Sequence, residues 1–167
     1  MPTLHLICGL PCSGKTTYAK QLEREVDALR LTPDEWHVRL FGHDVLEEER
    51  DARHDLIEAL LWKVAARVLT LDVNVILDFG FWGKGEREDY RSRAAALGAK
   101  SELHLLDVPT EVLLERLEKR NAELPEGATY IPEVKLKEWI GWFQLPTQDE
   151  LVPYDPSRTD PGGRAPR

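Results

Sequence analysis

Gly9-Leu10-Pro11-Cys12-Ser13-Gly14-Lys15-Thr16 fits the pattern G-x-x-x-x-G-K-[ST], which is typical of loops that bind phosphate groups. We expect Gly9 and Gly14 to take backbone conformations that are closed to residues with a Cβ atom, which turns the amide N–H groups inward toward an anion. Lys15 is then expected to reach the β- and γ-phosphates of a nucleotide, and the Thr16 hydroxyl to coordinate Mg²⁺. The pattern therefore predicts that residues 9–17, from Gly9 to Thr17, bind the phosphate groups of a nucleotide.

The residues on both sides of this loop favour the same interpretation. Thr3 to Cys8 is short and mostly apolar, as expected for a buried strand. Thr17 to Arg24 contains good helix formers and no breaker, and the N-terminal partial charge of such a helix would attract an anion. The alternative is a chance glycine-rich turn before a helix, but the order strand, loop and helix is the one that a phosphate-binding loop requires.

The composition limits the classes of protein that this chain can belong to. Its 167 residues are enough for one domain with a single buried core, and its formal charge of −8 disfavours a general nucleic-acid binder. The two cysteines, Cys8 and Cys12, predict neither a disulfide framework nor a metal site. We expect no membrane span and no signal peptide, and therefore a cytoplasmic protein.

Hydrophobic patterns predict alternating strands and helices, and thus a parallel sheet with helices on both faces. We predict an α/β fold of three layers with four to five strands, a kinase domain over residues 1–150 with a lid at about 115–130, and a disordered tail over 155–167. The predicted strands are Thr3–Cys8, Ala28–Thr32, Val73–Asp78, Leu103–Val108 and a short edge strand Leu151–Tyr154. The predicted helices follow Thr16 and Thr32 and cover about Leu46–Leu71, Glu86–Leu97, Thr110–Ala122 and Pro132–Phe143.

Two acids follow strands at the edge of the sheet where ligands bind in such folds. Asp34 could accept the proton of a substrate hydroxyl, or it could only favour the start of a helix, since Thr32 and Glu35 have the spacing of a capping box. Asp78 ends an apolar strand and could hold Mg²⁺ or contact the substrate, or it could cap the next turn. The spacing alone leaves both pairs of alternatives open.

Aromatic and basic residues near these acids have open roles as well. Phe81 and Trp82, beside Phe79, either fill the core or line a substrate pocket. Arg116 and Arg120 lie four residues apart, so they either clamp phosphates or are balanced by neighbouring glutamates. Arg87 and Arg91 could each be solvated charges. The five histidines (His5, His37, His43, His54 and His104) have no metal-ligand spacing and are interpreted as structural or surface residues.

The stretches Gly9–Thr17 and Thr32–Trp36, together with Leu106–Pro109 and the two arginines after it, resemble small P-loop kinases. This group is related to polynucleotide 5′-kinases, chloramphenicol phosphotransferase and zeta toxins, and the resemblance covers about residues 3–145. It implies that Asp34 is the general base and that Arg120 contacts ATP phosphates. Many relatives carry an arginine three residues after the acid, where this chain has His37, with Arg39 two residues further on.

These observations predict an ATP- and Mg²⁺-dependent phosphotransferase that acts on a hydroxyl of a small molecule, such as an antibiotic, a nucleoside or a sugar derivative. The predicted catalytic residues are Lys15, Asp34 and Arg120. The predicted acceptor site comprises Asp34, His37, Arg39, Asp78, Phe81 and Trp82, and the predicted metal ligands are Thr16 and Asp78. One alternative is a polynucleotide 5′-hydroxyl kinase. Another is a nucleotide-binding switch with little transfer activity, although the guanine-recognition motif N-K-x-D is absent from the sequence.

Overall fold

The computed structural model describes residues 1–42, 47–124 and 130–157. Seven helices and four strands lie within these ranges. The strands are β1 Thr3–Cys8, β2 Ala28–Leu31, β3 Asn74–Gly80 and β4 Lys100–Leu105. The helices are α1 Lys15–Glu25, α2 Pro33–Phe41, α3 Glu47–Thr70, α4 Lys84–Ala96, α5 Thr110–Glu123, α6 Glu133–Trp142 and α7 Gln148–Leu151.

The four strands form one parallel sheet in the order β2-β3-β1-β4. Leu4 of β1 lies between Val75 of β3 and Ser101 of β4, which places the most apolar strands at the centre. All carboxyl ends therefore meet at one edge of the sheet, where the loop after β1 and the turn after β3 are neighbours. The predicted α/β fold with a parallel sheet is confirmed.

Helices cover both faces of this sheet because each strand presents apolar side chains on alternate sides. On one face, Ile57 and Leu61 of α3 and Ala94 of α4 pack against Leu6 and Leu77. On the other face, Ala19 and Leu22 of α1 pack against Ile7 and Ile76. The result is a three-layer molecule with its core divided by the sheet.

A further apolar cluster joins α5 and α6 to the carboxyl edge of the sheet. Leu113 and Leu117 of α5 and Leu136 of α6 are buried together with Leu10 of the phosphate-binding loop. Trp82 packs at the margin of this cluster, against Trp139 at 5.7 Å between ring centroids. Helices α5 and α6 are therefore attached directly to the loop that follows β1.

Several local predictions were wrong. The chain over 151–154 forms no edge strand: Leu151 ends α7, and only Tyr154 makes an isolated bridge to Ser101. Pro153 lacks the N–H group that a strand would need there. β4 covers 100–105 rather than 103–108.

The helical spacing of apolar residues predicts a buried stripe on α3, which the structure confirms only in part; the predicted members are Leu56, Ile57, Leu60, Leu61, Val64 and Val68. Ile57, Leu61, Ala65 and Leu69 are buried, whereas the exposed members of the stripe are Leu56, Leu60 and Val64. The buried set repeats every four residues because one sheet face covers only a narrow strip of a long helix.

Some predictions lie outside the described residues: the start of α3 at Leu46, the part of the lid over 125–129 and the tail from residue 158 onward. The extent of the kinase domain, of its lid and the cytoplasmic location remain predictions. Among the helices that the structure describes, none combines the length and apolarity needed to cross a membrane.

Candidate active site

The loop between β1 and α1 requires glycine at two positions, for a different reason at each. Gly14 precedes α1 with φ 88°, in the left-handed region that favours glycine. At Gly9 the requirement is space: a Cβ atom would lie 2.6 Å from Ser13 Oγ and 3.2 Å from Leu106 Cβ. The expectation of an unusual conformation holds for Gly14, whereas Gly9 is needed for close approach.

Contacts from three directions hold this loop in place. The Gly9 N–H donates to the Gly80 carbonyl at 2.9 Å, and Trp82 Nε1 donates to the Gly9 carbonyl at 3.1 Å. Arg116 Nη1 donates to the Cys12 carbonyl at 3.2 Å. The loop is thus fixed to the end of β3, to the turn after it and to helix α5.

Asp78 lies beneath the start of α1 and is 4% exposed. Its Oδ2 accepts hydrogen bonds from the hydroxyls of Thr16 at 2.7 Å and Thr32 at 3.2 Å. Its Oδ1 is buried and has no hydrogen-bond partner among the residues that the structure describes. Burial raises the pKa of Asp78, and the charge of Lys15 acts in the opposite direction. A carboxylate oxygen without a partner beside a hydroxyl is a donor set that suits Mg²⁺, so Thr16 and Asp78 fit this ion.

The capping box considered for Thr32 and Glu35 does not form. Thr32 is the N-cap of α2, but its hydroxyl donates to Asp78 and makes no capping bond. Glu35 pairs with Arg30, with Nη1 to Oε1 at 3.1 Å. The side chain of Thr32 therefore supports the acid on β3. Asp34 lies in the first turn of α2, where an acid also suits the helix dipole.

A cleft of about 620 Å³ opens at the carboxyl edge of the sheet, beside the loop. Residues from six helices, from strand β3 and from three loops line it: Pro11, Cys12, Lys15, Thr16, Asp34, His37, Val38, Arg50, Asp51, His54, Phe79, Phe81, Trp82, Glu86, Arg120, Ile131, Trp139 and Trp142. Nine of the residues predicted from the sequence are in this set. Thr17 and Arg39 are exposed on their helices, outside this lining, and Asp78 lies behind Thr16.

His54 lies beside Asp34, although the sequence pattern did not predict a place for it in the site. Its Nδ1 is 3.8 Å from Asp34 Oδ1, and its Nε2 is 3.0 Å from Glu58 Oε1. The hydrogen bond to Glu58 raises the pKa of His54 despite its partial burial. The spacing of four residues between His54 and Glu58 on α3 was a readable signal for that pair. Its approach to Asp34 on α2 depends on how the two helices pack.

Two more titratable groups in the cleft have unusual surroundings. Burial and the charge of Glu58 raise the pKa of Glu86 to about 7. His37 is buried, and neither ring nitrogen has a hydrogen-bond partner within the described part of the chain. Burial, followed by the charge of His54, lowers the pKa of His37. The cleft therefore holds polar groups that can still bind a ligand.

The aromatic residues after β3 have separate roles. Phe81 is buried and packs with Phe79 and Tyr90, so that it belongs mainly to the core although it borders the cleft. Trp82 is half-buried, fixes the loop through Gly9 and faces the cleft together with Trp139 and Trp142. Three tryptophans thus form one apolar wall of the cleft.

Arg87 is fully buried, which rules out the alternative that it is a solvated charge. Its Nε donates to Glu150 Oε1 at 2.7 Å and its Nη2 to Oε2 at 3.3 Å, and Nη1 donates to the carbonyls of Phe81 and Trp82. Arg91 on the same helix donates to the Val152 carbonyl at 2.9 Å. Both arginines therefore tie α4 to the C-terminal segment.

The arginines of α5 reach the site from the opposite side. Arg120 lines the cleft, and its Nη1 is buried without a partner among the described residues. Burial raises the pKa of the Cys12 thiol, against the charges of Arg120, Lys15 and Arg116. Three cations thus surround the phosphate-binding loop, which makes it a favourable place for an anion.

The comparisons with known proteins bear on the family and the fold of this chain. A family model described as an AAA domain matches residues 4–146. A chain of the Pnkp1/Rnl/Hen1 RNA repair complex is similar with a TM-score of 0.71 and 20% identity, over 96% of this chain and 50% of that chain. The present chain therefore spans half the length of that relative. The comparison with curated protein sequences gave no match.

Two further structures show the same fold. Kti12 from Chaetomium thermophilum, in complex with ADP-AlF3, has a TM-score of 0.66 and 23% identity over 86% of this chain and 81% of that one. A gluconokinase from Sinorhizobium meliloti 1021 has a TM-score of 0.60 and 16% identity over 89% and 78%. Because the family match covers most of the sequence and these structures share its architecture, the chain belongs to the AAA domain family and has the fold of small P-loop kinases.

Proposed function

We propose that this protein is an ATP- and Mg²⁺-dependent phosphotransferase whose acceptor is a hydroxyl group of a small molecule. The observation that carries the proposal is that Lys15, Thr16 and Asp34 line one cleft. A phosphate-binding loop alone would suit many nucleotide-binding proteins, whereas a carboxylate across the same cleft also offers a base for an attacking hydroxyl.

The phosphate-binding side of the cleft has three parts in this proposal. The amides of residues 9–14 and Lys15 bind the β- and γ-phosphates. Thr16 and Asp78 hold Mg²⁺, which neutralises charge on the phosphate oxygens when it is bound. Arg120, whose Nη1 has no partner among the described residues, donates to the transferring phosphoryl group, and Arg116 keeps the loop in place.

The acceptor side is centred on Asp34. Its carboxylate accepts the proton of the acceptor hydroxyl as the hydroxyl oxygen bonds to the γ-phosphorus and the bond to the β–γ bridging oxygen breaks, releasing ADP. His54 is a positioning residue that keeps this otherwise exposed carboxylate near the cleft. His37 supplies ring nitrogens that can bind a second polar group of the acceptor.

The walls of the cleft favour a compact acceptor with a flat or apolar part. Trp82, Trp139 and Trp142 offer aromatic faces, while Asp51 and Glu86 place acidic groups at the same opening. Among the lining residues that the structure describes, Arg50 is the one arginine or lysine outside the proposed ATP-binding set, whereas the repeated phosphates of a polynucleotide call for several such contacts. An RNA repair complex, a gluconokinase and a sugar kinase appear among the similar structures, so acceptors of both kinds belong in the test.

The test is a screen of antibiotics, nucleosides, sugars and a 5′-hydroxyl oligonucleotide for transfer of labelled γ-phosphate from ATP. With the acceptor found, Asp34→Asn is expected to lower kcat about 10²–10⁴-fold while nucleotide binding is retained, since this is the usual contribution of a general base. Lys15→Ala is expected to abolish both. Glu111→Gln, an exposed change on α5, is the matched control.

The outcomes separate the alternatives. An Asp34→Asn variant with the wild-type rate would refute the role of this carboxylate. Transfer to the oligonucleotide in place of small molecules would favour the polynucleotide kinase. Tight ATP binding without any acceptor would favour a regulatory switch.

A further inference from the structure

A second group of potential metal ligands lies outside the cleft, on the two neighbouring strands β1 and β4. His5 of β1 pairs with Glu102 of β4, and Ile7 pairs with His104. Because side chains alternate along a strand, Glu102 and His104 lie on the same face of β4 as their neighbour His5 on β1. The three side chains therefore meet on the sheet face that α1 covers.

The distances between the donor atoms are those of a metal site. His5 Nδ1 is 3.0 Å from His104 Nε2 and 3.6 Å from Glu102 Oε2. Donor atoms of all three residues lie within 4.8 Å of one another. In a tetrahedral site with bonds of about 2.0–2.1 Å, neighbouring ligand atoms are about 3.3 Å apart. Only small movements would be needed to place one ion between these three atoms.

The outer nitrogen of His104 has the partner that a ligating histidine needs. Its Nδ1 is 2.8 Å from the hydroxyl oxygen of Tyr18 on α1. Ligating histidines commonly donate the N–H of their second nitrogen to an oxygen, which fixes the tautomer with a free lone pair toward the metal. Tyr18 can accept this bond and so leaves His104 Nε2 available as a ligand.

We propose that His5 Nδ1, His104 Nε2 and a Glu102 carboxylate oxygen bind one Zn²⁺ ion or a similar first-row divalent cation. Two imidazoles and one carboxylate suit Zn²⁺ rather than Mg²⁺, which prefers oxygen ligands. The Glu102 side chain is 39% exposed, so that the ion can enter from solvent. A fourth position remains for water. This site would be separate from the Mg²⁺ ligands Thr16 and Asp78, and it does not depend on the proposed activity.

The same contacts also suit a metal-free hydrogen-bond chain from Tyr18 through His104 to His5, so the experiment must distinguish the two. Zn²⁺ is titrated into the full chain in chelator-free buffer by calorimetry, and Co²⁺ is used as a spectroscopic probe of the ligand geometry. We expect one Zn²⁺ per chain and a tetrahedral Co²⁺ spectrum. Glu102→Gln and His104→Gln are each expected to abolish both signals.

Two further variants make the test specific. Tyr18→Phe removes only the partner of His104 Nδ1 and is expected to weaken Zn²⁺ binding about 10–100-fold, the usual effect of losing such a partner. His54→Gln removes an imidazole that also lies near two carboxylates, and is the matched control that should keep full Zn²⁺ affinity. Glu102 is partly exposed, so its variant tests the site even if His104→Gln fails to fold.

The proposal is overturned by any of three results. The wild-type chain could fail to bind Zn²⁺, Glu102→Gln could bind as tightly as wild type, or binding could be lost only in His54→Gln, which would locate the ion in the cleft. The hydrogen-bond chain alone would then explain the contacts of Tyr18, His104 and His5.

Discussion

Asp34 lies in the first turn of α2, and its side chain is 76% exposed, so its direction depends on few contacts. His54, 3.8 Å away on α3, is itself held by Glu58. The protonated imidazole attracts both carboxylates, and the Glu58 bond raises the pKa of His54 above its ordinary value. The charge of His54, and with it the attraction to Asp34, is present at low pH and is lost as pH rises through this raised pKa.

We predict that His54→Gln lowers kcat by up to about five-fold near pH 6.5, since a partly exposed ion pair contributes at most about 1 kcal/mol. In a profile of kcat against pH, the wild-type rate should fall above the pKa of His54 as this residue loses its proton. This alkaline limb of the profile should be absent from the variant. Glu58→Gln should shift the limb to lower pH, because the bond to Glu58 is the main cause of the raised pKa. The measurement is the pH profile of kcat, and an unchanged profile in both variants would contradict the positioning role.

The two arginines of α5 are expected to have different effects on the reaction. Arg120→Ala is expected to lower kcat about 10²–10³-fold, the usual effect of removing one donor to a developing charge. Arg116→Ala should mainly weaken nucleotide binding, because Arg116 contacts the Cys12 carbonyl of the loop. Steady-state kinetics with varied ATP would separate the two effects, and equal losses of kcat in both variants would argue against this division of roles.

At the scale of elements, the turn after β3 connects the loop, helix α4 and helix α7. Trp82 reaches the Gly9 carbonyl, and Arg87 binds the carbonyls of Phe81 and Trp82. Glu150 of α7 holds Arg87 through two hydrogen bonds. The geometry of the phosphate-binding loop therefore depends on a buried ion pair whose acid lies 63 residues further along the chain.

We predict that Arg87→Ala lowers the free energy of unfolding by about 3–5 kcal/mol, because it leaves Glu150 buried without its partner. The double change of Arg87→Met with Glu150→Leu should recover most of this loss, since no buried charge then remains. Arg91→Ala on the same helix is the milder control, with a loss of about 1 kcal/mol for one hydrogen bond. Urea unfolding would measure all three, and a double variant as unstable as Arg87→Ala would show that packing rather than charge is responsible.

At the scale of the whole molecule, the cleft lies between the three-layer body and the pair α5–α6. Lys15 and Asp34 belong to the body, whereas Arg120 and Trp139 belong to the C-terminal helices. A nucleotide in this cleft would contact both parts, and a ligand that binds only the folded state stabilises it by mass action.

We predict that Mg²⁺–ATP at about 100 times its Kd stabilises the chain by about 2.7 kcal/mol, which raises Tm by about 5–11 °C for a protein of this size. Lys15→Ala should remove this shift, and Asp34→Asn should keep it. Thermal unfolding with and without nucleotide provides the measurement. A shift that survives in Lys15→Ala would place the nucleotide elsewhere.

The sequence was sufficient for the local part of this site. The residues Gly9 to Thr16 specify a strand, a loop and a helix through glycine geometry and helix propensity, which act over a few neighbouring residues. The place of Asp34 at this edge was predicted in the same way, because acids that follow strands of a parallel sheet collect at one edge. Asp78 also lies near this edge, although β3 continues two residues beyond it to Gly80 and does not end at the acid as predicted. These are properties of short segments, and the order of the segments determines on which edge they meet.

The contacts between distant segments could be known only from the packing of the fold. His54 meets Asp34, Arg87 meets Glu150, and His5 meets His104 because helices and strands far apart in the chain are packed side by side. Hydrophobic periodicity shows that α3 and α4 pack on the sheet, but not their rotation or the partners of their polar side chains. The order of residues along the chain was thus enough to predict the loop and the two acids. The tertiary structure alone decided which buried and paired side chains support them.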